Sequence, residues 1–94
     1  MTLQEKCRKY IEKGNNALKD VRISVPKESF LWKAAQDFIE MCQNYLRDAS
    51  FFYEREDYEN ALAASSYAYA WLDAGVRIGI LEARGDYARF TQYS

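Results

Sequence analysis

The 94-residue chain contains no histidine at all. That absence removes imidazole bases, histidine-containing triads and histidine-ligated metals together. Sulfur is nearly as scarce: Cys7 and Cys42 stand far apart, with no CxxC and no second pair. A disulfide framework or a zinc site needs more. Each cysteine falls at an apolar helical position, which predicts buried free thiols in a reducing cytosol. One proline and four glycines leave long stretches without a breaker. Net charge is only −1, with pI near 5.4, so bulk charge gives no pull towards nucleic acid or an anionic membrane. The N-terminal MTLQEKCRKYIEKG lacks the apolar run of a signal peptide. The one stretch of membrane length, residues 61–81, carries Asp73 and Arg77 and is a poor span. The expectation is a cytoplasmic protein with no nucleic-acid or membrane partner.

What is present is an amphipathic helical chain, 49% hydrophobic and 16% aromatic, enough for one small domain. In the first third, Leu3, Cys7, Tyr10, Gly14, Ala17 and Val21 recur at alternating steps of four and three, with Ile11 and Leu18 widening the stripe. The run Arg22-Ile23-Ser24-Val25-Pro26 ends that helix, because β-branched residues before a proline favour extended backbone. A second stripe follows through Leu31, Ala35, Phe38, Cys42, Tyr45, Ala49 and Phe52. Uninterrupted to Arg55, it allows about 27 residues, roughly 40 Å. Asp57 reads as the N-cap of a third helix with Glu59 in its first turn. Gly85 reads as its stop. The prediction is an all-α, up-down-up three-helix bundle. Its helices lie near 2–22, 28–55 and 58–84 within a domain spanning 1–85, followed by a short tail, 86–94.

The third helix differs from the other two. One face carries Tyr58, Leu62, Ser65, Tyr69, Leu72, Val76 and Gly79; the other carries Ala63, Tyr67, Trp71, Ala74, Ile78 and Leu81. A helix apolar all round is normally buried all round, so something beyond the bundle should cover Trp71 and Ile78. The candidate binding residues are therefore Tyr67, Trp71, Ala74 and Ile78, with a second copy or another protein as the partner and tail coverage as the alternative.

Candidate chemistry is sparse. Asp73 and Arg77 read as an i,i+4 ion pair at the edge of the inner stripe. With Asp48 they form a possible polar groove for a small ligand. Asp37, Asn44, Asp48 and Arg55 line one flank of helix two, which is more in keeping with a solvated edge than a cation site. Residues 1–33 hold eight Lys/Arg and four Asp/Glu, whereas 34–94 hold five and ten. A basic first helix against acidic neighbours accounts for this, and Glu5 and Glu12 break up the flank of Lys6, Lys9 and Lys13. No phosphate loop, nucleophile elbow or zincin motif occurs. Neither catalysis nor a cofactor or metal is expected.

Over residues 44–79 the sequence Asn44-Tyr45-Leu46-x-Asp48-Ala49, Asp57-Tyr58, Ala61-Leu62-Ala63, Tyr67-Ala68 and Trp71-Leu72-Asp73-Ala74-Gly75-x-Arg77-x-Gly79 resembles the archaeal domain-of-unknown-function family 357. The resemblance extends over roughly residues 5–83 and implies a small three-helix bundle without an assigned activity. Where family members often have glycine before the Asp-Tyr of the turn, this chain has Glu56, which would cost about 1 kcal/mol if that position is left-handed. Asp57-Tyr58-x-x-Ala61 is also similar to the second-helix spacing of tetratricopeptide repeats, though such arrays need about three units. Helical RNases of the nucleotidyltransferase-associated type require a histidine that this chain lacks. A non-catalytic interaction or self-association module is the expected function, with a tetratricopeptide-like adaptor or a small-ligand-binding helical domain as alternatives.

Overall fold

The computed structural model describes residues 1–85. Its elements are α1 (Leu3–Asp20), β1 (Val21–Ile23), α2 (Phe30–Glu54), α3 (Tyr58–Arg77) and β2 (Leu81–Ala83). Each helix begins on a side-chain cap. Thr2 and Glu5 form a reciprocal capping box, Ser29 Oγ accepts from the Leu31 amide at 3.0 Å, and the Asp57 carboxylate accepts from Asn60.

The packing register gives the topology. Tyr53 meets Tyr58, Tyr45 meets Tyr67 and Phe38 meets Trp71, so α2 and α3 run antiparallel. Along α1 the order is reversed: Cys7 reaches Tyr58 O, Lys13 lies over Tyr69, and β1 pairs with β2. Helices α1 and α3 are therefore parallel, and the bundle is up-down-up as the stripes predict. Its interior is made of small residues: Cys7, Ala17, Ala35, Cys42, Ala49, Ala61 and Ala68 are fully buried, with Leu72 the largest of the wholly enclosed side chains. Small interiors let helix backbones approach closely. A methyl group at Gly14 would lie 2.8 Å from Leu46 Cδ2, so glycine there admits the leucine. Buried Ser65 satisfies its hydroxyl by donating to Leu62 O at 2.9 Å.

The end of the third helix departs from expectation. It stops at Arg77, not near residue 84, and its terminating glycine is Gly79 (φ 84°), not Gly85. Leu81, assigned above to the outer helix face, lies instead in β2 and is 2% exposed. The β2 strand pairs antiparallel with β1 in the register Val21↔Ala83, Arg22↔Glu82, Ile23↔Leu81. The extended run after α1 needs partners for its backbone groups, and the segment after Gly79 supplies them. Gly75 makes room for this return, because a Cβ there would fall 2.8 Å from Leu81 Cγ. Helices α1 and α2 start and end within a few residues of their predicted limits. The predicted tail, 86–94, lies outside the described residues.

Candidate functional site

The inner face of α3 is as the sequence predicts: Leu72 and Ser65 are buried, and Tyr58, Leu62, Tyr69 and Val76 are half-buried. The outer face divides. Trp71, placed at its edge by the helical period, turns towards α2 and packs edge-on against Phe38 at 4.9 Å. Trp71 is therefore half-buried, with part of its ring against α2 and part still outward. Tyr67 stacks on Tyr45 at 5.4 Å yet remains 60% exposed, and Ile78 is 64% exposed. With Ala63, Ser66, Ala70 and Ala74, all exposed, they form an uncharged strip bounded by Glu59 at one end and Arg77 at the other. Ser66 uses its hydroxyl internally, donating to Leu62 O. The Tyr45 stack holds the Tyr67 ring in place, so this strip offers a preset aromatic surface beside alanines.

The polar candidates are not brought together. Asp73 Oδ2 accepts from Arg77 Nε at 3.1 Å, an ion pair within one turn, with the carboxylate side chain 24% exposed. Its second oxygen is buried and has no hydrogen-bond partner among the described residues. Asp48 is exposed on α2. From the Tyr45–Tyr67 and Phe38–Trp71 register it lies level with about residue 64 of α3, roughly 14 Å along the axis from Asp73. Asp48, Asp73 and Arg77 therefore form no shared groove.

The thiols are placed for packing. Cys7 Sγ donates to Tyr58 O at 2.8 Å, and burial raises its pKa; burial alone pushes Cys42 up to about 12. Such shifts disfavour the thiolate, the nucleophilic form. Among the described residues no group of three or more Cys, Asp or Glu could hold a metal ion, and no helix is long and apolar enough to cross a membrane. On the basic flank, Lys13 is held over the Tyr69 ring at 4.4 Å, an internal cation–π contact.

One surface was not foreseen. An open groove of about 450 Å³ runs between α1 and α2, lined by Leu18, Leu46 and Phe51 with Asn15, Gln43 and Arg47 among its polar neighbours. Phe51 is half exposed, and the Arg55 guanidinium lies 3.6 Å from its ring centroid. The sequence signal for it was Gly14, which draws α1 onto Leu46 at the groove's edge, together with a phenylalanine one position off the inner stripe.

Comparison with known families matches residues 9–81 to a family described as "Protein of unknown function (DUF357)". No curated protein and no solved structure matches the chain.

Proposed function

Because the chain belongs to the DUF357 family, of unknown function, we propose from its own surface that it is a non-catalytic self-association module. Its contact face is the outward strip of α3: Ala63, Tyr67, Ala70, Ala74 and Ile78. The observation that carries this reading is the exposed, uncharged run of that strip, with a pre-positioned tyrosine and a large aliphatic residue left in water. Aromatic anchors flanked by small residues suit a second helix laid alongside, at the short interaxial distance alanines permit. A second copy is the partner that needs no other component, and homodimers most often use one surface twice. The adaptor alternative has less support, since only one helical hairpin of that spacing is present. The α1–α2 groove favours the ligand-binding alternative, and it is open to solvent.

The test is solution mass. Sedimentation equilibrium of the 11.0 kDa chain should give twice that mass at high micromolar concentration. Ala70→Glu should return it to the monomer with helical circular dichroism unchanged. A monomeric wild type overturns the reading, and a dimer indifferent to Ala70→Glu removes the contact from α3.

A further inference from the structure

Resting on that self-association reading, we infer that two copies pair antiparallel along α3, about a twofold axis level with Ala68, with Glu59 of each copy set against Arg77 of the other. Glu59 and Arg77 are both exposed and lie eighteen residues apart. That separation is about five whole turns, so both project from the same flank of the helix, roughly 27 Å apart along its axis. Ala68 is midway between them. A twofold axis perpendicular to the helix keeps each flank on its own side and reverses direction along the axis. Two charges of opposite sign on one flank, equidistant from the axis, therefore meet their opposites twice.

The side chains between them obey the same symmetry. The operation that joins Glu59 to Arg77 of the second copy also brings Ala63 to within one residue, about 1.5 Å along the axis, of Ala74, and Tyr67 as close to Ala70, a large residue beside a small one. Parallel pairing loses these contacts: its twofold axis runs along the helices and carries the Glu59–Arg77 flank of the second copy to the opposite side, so neither charge meets its opposite, and the two Tyr67 rings fall at one level. Only the antiparallel arrangement brings the opposite charges together, so charge selects the orientation. The Arg77 guanidinium already serves Asp73 through Nε. Its fork of five donors lets it serve a second carboxylate as well. The Glu59 carboxylate is held near the start of α3 by its place in the first turn. Ion pairs at an exposed rim contribute modestly to affinity, so here they fix direction and register, while the apolar strip supplies the contact.

Two experiments test the orientation separately from the self-association. Cys7 and Cys42 are buried, which leaves introduced surface thiols as the ones available for cross-linking. Under mild oxidation, Ala63→Cys with Ala74→Cys in one chain should yield covalent dimers, and Ala63→Cys alone should not. In sedimentation, Glu59→Arg should weaken the dimer roughly tenfold or more, since both symmetry-related pairs are lost and replaced by repulsion. Adding Arg77→Glu should restore it, with circular dichroism reporting that each variant remains helical. Should the double charge variant fail to fold, the cross-linking result decides. Covalent dimers from Ala63→Cys alone, or a dimer unmoved by Glu59→Arg, overturn the antiparallel register while self-association stands. A wild-type chain that never exceeds monomer mass overturns both.

Discussion

Helices α2 and α3 end in the same hydrogen-bond pattern with different residues at its critical position. After α2, the amides of Glu56 and Asp57 donate to Tyr53 O and Phe52 O. After α3, the amides of Gly79 and Ile80 donate to Val76 O and Gly75 O. Both are Schellman closures, with the left-handed residue being Glu56 (φ 61°) in one and Gly79 (φ 84°) in the other. Glycine adopts that conformation without steric cost, whereas glutamate does so against about 1 kcal/mol. The comparison separates what closes a helix from what directs the chain afterwards. Following Glu56, polar Asp57 caps the next helix and turns the backbone straight back. Following Gly79, Ile80 and Leu81 are both 2% exposed, and their burial draws the chain down onto β1. The closure is common to both ends, and the residue after it decides between a hairpin and a strand.

Five substitutions would break or sharpen this contrast. Leu81→Ala should have the largest effect, removing about 2–5 kcal/mol of stability in a urea melt and unpairing the ribbon, because it empties a fully enclosed site. A loss below about 1 kcal/mol would show that the ribbon end does not depend on burial. Next come the two left-handed positions, with opposite signs. Gly79→Ala should destabilise by about 1 kcal/mol, and Glu56→Gly should stabilise by a similar amount, less whatever flexibility glycine adds to the unfolded chain. Equal signs in the two melts would refute the equivalence of the closures. The smallest effect belongs to the cross-strand ion pair of Arg22 with Glu82, which faces solvent opposite its partner in the ladder. A double-mutant cycle with Arg22→Ala and Glu82→Ala should return a coupling of about 0.2–1 kcal/mol that shrinks in high salt.

The helical stripes made most of this fold legible. The cysteines, the inner alanines and Leu72 lie where a period of 3.6 puts them, and the Asp57 cap and the short α2–α3 connection follow from local chemistry. The end of α3 was not legible in the same way. Gly79 falls at a stripe position, and Ile80 and Leu81 prolong an apolar run, so periodicity alone carries the helix through them. Gly79 closes the helix, and what holds the chain extended after it is pairing with residues about sixty positions earlier, which no local window contains. One clue was available: the extended run after α1 needed partners for its amides and carbonyls, and the only apolar segment following a glycine near the other end was 80–83. How far Trp71 leans onto α2 was not legible, for a geometric reason. It sits at the border between the two faces of α3, where a large ring can swing sideways onto Phe38, and a helical projection gives the direction of a Cβ rather than the reach of an indole. The Asp73–Arg77 pair was legible because an i,i+4 spacing leaves little choice, while the separation of Asp48 depended on the register between helices.

The ribbon also bears on the order in which the molecule assembles. Helices α2 and α3 are joined by three residues, Arg55–Asp57, so their docking closes a very short loop. The ribbon joins Val21 to Ala83, enclosing both of those helices, and its loop-closure entropy falls sharply once they have packed and brought its ends together. Loop closure therefore favours the antiparallel hairpin of α2 and α3 as the early unit, with α1 docking onto it. That helix is fastened at its beginning where Cys7 meets Tyr58 and at its end by the two strands. A small clasp of three residues on each side thus adds a closing contact to a helix whose Cys7, Gly14 and Ala17 are already buried along its length.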